Sequence, residues 1–170
     1  MKKKSIVLGL LTGIGLLILI SHTPILLLSL RILFNPNDVI LYSQRGEIKL
    51  YAESDYDGAV SDFTKSIELI SKLDQDSSKE LSESGIELGN LYNHRAAAYR
   101  NLGLRNELSK HIKESIFFYK LSLNDYRKSA SIYQSNGNKA IYIFQSNNAK
   151  QISEHLSSLK IRQKNETTTP

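Results

Sequence analysis

Apolar residues recur at three- and four-residue steps from Val39 nearly to the C-terminus, and this period decides what the chain can fold into. Val39, Tyr42, Gly46 and Leu50 mark one face of a first helix. Ala59, Phe63, Ser66, Ile67 and Ile70 mark a second, entered through Ser54-Asp55, a good N-cap pair. A third helix is expected from about Ser84 to Leu102, with Gly103 as its stop. The fourth begins near Arg105 with Leu108, Ile112, Ser115 and Ile116. Its spacing persists through Tyr119, Leu123, Tyr126, Ala130 and Tyr133, with a place for a bend at Asn124-Asp125. Asn136-Gly137-Asn138 is a clear break, and a last helix over 139–161 puts Ala149, Ile152, Leu156 and Leu159 on one face. Residues 74–78 read as a polar linker and 165–170 as a disordered tail. With 9 Gly and 3 Pro in 170 residues, turn formers are too scarce for a sandwich or barrel, which needs a turn about every ten residues. The expected fold class is all-α.

A second pattern precedes these helices. Lys2-Lys3-Lys4 leads into an apolar run from Ile6 to Leu30, broken only by Ser21-His22-Thr23-Pro24. Those 25 residues would span roughly 37 Å as a helix, enough to cross about 30 Å of hydrocarbon with some tilt. The rival reading is a cleaved signal peptide with Ile6–Ile20 as its apolar region. Its cleavage candidate, Ser21-His22-Thr23, leaves Pro24 just after the cut, where signal peptidases reject proline, so an uncleaved anchor is the expectation. Three lysines before the span against a single Arg31 close behind it keep the N-terminus cytoplasmic. The following domain then lies on the periplasmic or lumenal side. Gly9-x-x-x-Gly13 permits close pairing of two such spans, hence a weak homodimer. The expected division is an anchor over 1–34, a helical domain over 35–163 and a tail over 164–170.

Charge excludes one class of partner. Of 22 bases, four lie in residues 1–34 without an acid, and the remaining 18 face all 17 acids. The basic character therefore belongs almost wholly to the anchor, and nucleic acid is not an expected partner. Charge is nevertheless divided along the domain. Residues 35–90 hold 5 bases and 12 acids, whereas residues 91–170 hold 13 bases and 5 acids. Such halves attract one another across their junction, orient a partner, or rest the basic half against anionic headgroups.

Catalysis finds little support. There is no cysteine, the four histidines show no metal-ligand spacing, and neither a P-loop, a dinucleotide fingerprint nor a G-x-S-x-G elbow occurs. Neither enzymatic activity nor a cofactor or metal is expected.

The helices also resemble one another. Tyr42, Arg45 and Gly46 match Tyr92, Arg95 and Ala96 when one residue is inserted in the first turn. Aligning Ala59 with Leu108 pairs Phe63 with Ile112, Ser66 with Ser115 and Ile67 with Ile116. Tyr42-Ser43-Gln44-Arg45-Gly46, the stretch Asp55–Leu69, and Tyr92–Gly103 resemble the tetratricopeptide repeat, of the kind found in cyanobacterial proteins. Asp125–Tyr133 looks like the second helix of a further, incomplete unit. The resemblance covers roughly residues 40–135, as units over about 40–73 and 88–120, a partial unit over 121–135 and a capping helix over 139–161. It implies a short α-hairpin solenoid whose small residues, Gly46, Ala59 and Ala96, let paired helices approach closely while Phe63 and Tyr99 fill the space between pairs. The two units lie about 50 residues apart instead of the usual ~34, so helices must be extended or a loop inserted.

The resemblance further implies that the first helix of each pair lines a binding face. The positions turned outward there are Ser43, Gln44 and Glu47 in the first unit, and Asn90, Asn93, His94, Arg100 and Asn101 in the second. This hydrogen-bonding strip suits an extended or helical peptide. Ala97 stands where a chaperone-binding carboxylate clamp has asparagine. The implied role is a membrane-anchored scaffold that assembles, holds or escorts a membrane complex, as photosystem assembly factors of this type do if the source is photosynthetic, or as translocon- and envelope-associated ones do in other bacteria. A structural homo-oligomer and a plain helical bundle without a groove stand beside it.

Overall fold

The computed structural model describes residues 24–73 and 87–168. The chain divides into two compact units, residues 1–37 and 38–170. In the first, residues 24–34 are helical, and Asn35 N–H donates to the Arg31 carbonyl at 2.9 Å. Leu26, Leu27, Leu33 and Phe34 are exposed there. Among the described residues no helix is long and apolar enough to cross a membrane. Most of the expected span over 6–30, with Gly9 and Gly13, lies outside the described residues, as do the linker over 74–78 and the expected helix start at Ser84.

The second unit is a row of helices, with no strand among the described residues. Helix α1 runs over Val39–Ile48, α2 over Tyr56–Ile70, α3 over Leu88–Leu108, α4 over Ile112–Ser135 and α5 over Lys139–Thr168. Each packs chiefly on the next in the sequence. Asp38 caps α1 by accepting from the N–H groups of Ile40 and Leu41, and Asp55 caps α2 by accepting from Gly58. The three turns between consecutive helices share one device. A left-handed residue, Ser54, Lys110 or Gly137, stands just before the N-cap of the next helix. The first of these turns is preceded by a π-helical stretch, Lys49–Glu53, whose Lys49 carbonyl accepts from Asp55 N–H at 2.9 Å.

Two hairpins repeat, though not with the register expected. Arg45 of α1 grips Asp62 of α2, Nε and Nη2 donating at 2.8 and 2.6 Å, while stacking over the Tyr42 ring. Arg95 of α3 grips Asp125 of α4 in the same way, at 2.7 and 3.1 Å, and stacks over Tyr92. Ser66 hydroxyl donates to the Val39 carbonyl, and Ser129 donates to the Gly89 carbonyl. Val39, Tyr42, Arg45 and Gly46 are therefore equivalent to Gly89, Tyr92, Arg95 and Ala96. Asp62, Phe63, Ser66 and Ile70 are equivalent to Asp125, Tyr126, Ser129 and Tyr133.

This register corrects the alignment of Ala59 with Leu108. Ala59 is fully buried, whereas Leu108 is 77% exposed at the end of α3, and Ser122 takes the buried place by donating to the Ala96 carbonyl. The segment expected to be a partial third unit is the second half of the second hairpin. From Gly46 to Ala59 is 13 residues, against 26 from Ala96 to Ser122. Each arm of the second hairpin is thus about two turns longer. Three helix boundaries move with it. Helix α3 passes through Gly103, because that glycine lies against the Tyr119 ring instead of ending the helix. Helix α4 runs straight through Asn124-Asp125, since Asp125 is committed to Arg95. Helix α5 continues to Thr168, over most of the stretch expected to be disordered.

Two apolar cores result. One joins Val39 of α1 and Leu50 of the π-helical stretch to Ala59, Phe63 and Ile67 of α2 and to Leu91 and Ala98 of α3. The other joins Ala96, Ile112, Ile116, Tyr119 and Tyr126 to Ala149, Ile152, Leu156 and Leu159. Helix α3 contributes to both, so it is apolar on opposite sides and lacks a single greasy stripe.

Candidate functional site

The rotation of α1 and α3 about their own axes decides which side chains they offer to solvent. Buried ion pairs fix that rotation. Asp62 and Asp125 are almost fully buried, and Lys49 adds a second cation to Asp62 at 2.9 Å. Arg95 also donates to the Thr64 hydroxyl at 3.0 Å, which ties α3 to α2. The hydrogen bonds and charge of Asp62 raise the Arg45 pKa against the opposing effect of burial. Burial pulls the Arg95 pKa down, but the hydrogen bond and charge of Asp125 outweigh it and the net shift is upward. A planar guanidinium held at both ends by a carboxylate resists roll of its helix far better than apolar contacts do.

With these helices set, Glu47 and His94 face each other across α1 and α3. Glu47 Oε1 lies 3.6 Å from His94 Nδ1, beyond hydrogen-bonding distance, and Nδ1 is buried without a partner among the described residues. The imidazole is wedged between Tyr51, at 5.9 Å edge-on, and Phe63, at 5.5 Å. Desolvation lowers its pKa, more than the nearby Glu47 raises it, so the ring is neutral at pH 7. Tyr51 itself is 66% exposed.

Further along α3, Arg100 and Asn101 line a cleft of about 280 Å³ with Leu104 of the same helix, Tyr119 of α4, and Gln151, Ile152 and His155 of α5. Arg100 is exposed and makes no ion pair among the described residues, but its charge acts on Tyr51, Tyr119 and Tyr126. At the edge of the cleft Glu107 accepts from Tyr119 hydroxyl at 3.3 Å and meets His155 Nε2 at 2.8 Å. Burial, and then the Glu107 carboxylate, push the Tyr119 pKa up to about 12. Among the described residues no three His, Asp or Glu side chains converge where a metal ion could sit.

The eight expected contact residues therefore separate. Glu47 and His94 come together, Arg100 and Asn101 share the cleft, and Gln44 is exposed on α1. Asn93 is half-buried, and Asn90 spends its Oδ1 on the Tyr133 hydroxyl at 2.6 Å. Ser43 is a correction. At 1% exposure it is out of a partner's reach. Tyr51, Leu104, Gln151 and His155 were missed. Tyr51 lies just past the expected face of the first helix, and α5 read only as a cap. The paired phrases Asp62-Phe63-Thr64-Lys65-Ser66 and Asp125-Tyr126-Arg127-Lys128-Ser129 carried the signal that would have set the second hairpin and its neighbour α5 correctly.

No protein-family model matches the chain, and no curated protein matches it. The strip offers a cation at Arg100 with no ion pair among the described residues, amides at Asn101 and Gln151, and apolar or aromatic surface at Tyr51 and Leu104. Such a mixture suits a peptide laid across α1, α3 and α5.

Proposed function

We propose that the chain is a membrane-anchored interaction scaffold whose helical hairpins, tetratricopeptide-like in their small-residue and aromatic pattern, hold a protein segment along the α1–α3–α5 strip. The observation that carries this reading is the cleft of Arg100, Asn101, Leu104, Gln151 and His155, in which an unpaired arginine stands beside exposed apolar surface. Two hairpins followed by a long fifth helix support the solenoid reading, and so does the repeated Arg–Asp pairing. The apolar run from Ile6 to Leu30 behind three lysines supports the anchor, with the N-terminus cytoplasmic and the helical domain periplasmic or lumenal. Tethering to a membrane raises the effective concentration of the strip toward membrane-bound partners. Assembly or stabilisation of a membrane complex is the role that follows.

The test is a photo-crosslinking residue placed at Leu104 or Tyr51 in the full chain in its native membrane, with a control at Ser131 on the outward side of α4. The expected result is one dominant crosslinked protein from the strip positions, lost in Arg100→Ala and absent from the control. Equal labelling at all three positions, or labelling indifferent to Arg100→Ala, overturns the strip as the binding face. Crosslinks only to a second copy of the chain would instead mark a homo-oligomer.

A further inference from the structure

The outward face of α4 has a character the strip lacks. At 100° per residue, Lys113, Phe117, Lys120, Asn124, Arg127 and Ser131 fall within about 40° of one line along the helix. The other side of α4 carries the buried Ser115, Tyr119, Ser122, Tyr126 and Tyr133. All six outward residues are exposed, Phe117 by 57%. None of the three cations makes an ion pair among the described residues, and no acid stands on that line. Glu114 lies at its flank. The face continues into a cleft of about 480 Å³ between α4 and α5, whose lining includes Arg127 and Lys150 with Ser131, Ser146 and Ser153. Glu154 is the one acid in that cleft and stands 4.0 Å from Lys150. Long cationic side chains around an exposed phenylalanine are what a headgroup layer accepts: charge at phosphate depth, with methylenes and ring below it.

Chain length limits where this face can go. Only eight residues separate Leu30, the end of the apolar run, from Val39, the start of α1. Fully extended they reach about 30 Å, close to the length of α4 itself, so the helical domain stays at the bilayer surface. We propose that the outward face of α4, with Lys113, Lys120 and Arg127 as its cations, docks on an anionic lipid surface. The proposal rests on the membrane-anchored reading for its tether. Docking there leaves the α1–α3–α5 strip, on other helices, open to a partner.

The chain has no cysteine, so Asn124→Cys gives a single attachment point for an environment-sensitive fluorophore in the middle of the face. The full chain would be reconstituted in nanodiscs of phosphatidylcholine alone or mixed with phosphatidylglycerol. The expected result is a blue-shifted emission protected from iodide in the anionic discs only, reversed by salt. Charge reversal in Lys113→Glu/Lys120→Glu/Arg127→Glu should lower the docked-to-free ratio by roughly 100-fold or more, since each basic residue contributes about fivefold near such a surface. A label at Gln44→Cys should remain water-exposed in both discs, and the triple variant should keep its helical circular dichroism. Identical emission in the two disc types, or a blue shift that survives charge reversal, overturns the proposal. So does an equal shift produced by an oligonucleotide in place of lipid. Failure of the unlabelled chain to stay with phosphatidylcholine discs would count against the anchor alone. Binding to phosphatidylglycerol vesicles would still report on the face.

Discussion

The Arg95–Asp125 pair shows how single residues hold this fold. Replacing a buried ion pair by apolar groups is often neutral, but removing one partner strands the other charge in the interior. Asp125→Ala should therefore lower unfolding free energy by about 3–5 kcal/mol in urea titration. Arg95→Met combined with Asp125→Leu should recover most of that loss. If the single and double variants are equally unstable, the pair's hydrogen bonds, and not the stranded charge, set the cost. His94 makes the opposite case, a polar group kept neutral. Its folded-state pKa is depressed by desolvation, while the unfolded chain protonates near the ordinary value of 6.5. Stability is thus complete above pH 6.5 and falls as the pH drops from there toward the folded-state value. His94→Gln should remove that decline below about pH 6.5, read as Tm against pH. An unchanged profile would assign the decline to other groups.

At the scale of elements, the turns and the glycines make separable claims. Lys110 holds a left-handed backbone at φ 62°, which costs an ordinary residue about 1 kcal/mol and glycine almost nothing. Lys110→Gly should raise stability by about 0.5–1 kcal/mol despite glycine's greater freedom when unfolded, with Gly137 as the native precedent. Gly89 is the reverse. A Cβ there would stand 2.7 Å from the ring of Tyr133, which is only 1% exposed and cannot yield. Gly89→Ala should cost about 1–3 kcal/mol, although alanine is the better helix former. The same two features explain what was legible beforehand. The three-and-four period announced every described helix of the domain, because burial of one side leaves that trace in composition. Gly103 misled as a stop because a glycine allowing close approach and one ending a helix look alike until the partner ring, here Tyr119, is known. The second hairpin slipped out of register for a related reason. Ser115 and Ser129 both sit at apolar-face spacing in α4, and only the Arg95–Asp125 pairing chooses between them. In the candidate site, Glu47, His94, Arg100 and Asn101 were named from the outward positions that the tetratricopeptide resemblance implies, while Gln151 and His155 depended on α5 lying beside α3.

On the scale of the whole domain, its row of helices has two cores and one shared member. Packing chiefly between consecutive helices makes such an array nearly one-dimensional, so a perturbation should fade with distance along the row. Leu156 of α5 is buried among Ile116, Tyr119 and Ile152 in the second core. Leu156→Ala removes that packing and should cost about 2–5 kcal/mol locally. Because α3 also rests on α1 and α2 through Leu91 and Ala98, the first core keeps its own support when the second loosens. Hydrogen exchange should then show protection falling most in α5 and the C-terminal half of α4, less in α3, and least in α1 and α2. The cleft around Arg100 and His155 would open along with α5, so partner crosslinking through Leu104 should weaken in the same variant while the Glu47–His94 contact survives. A uniform loss of protection across all five helices would mean that the two cores unfold as one, and that α3 transmits the damage instead of confining it.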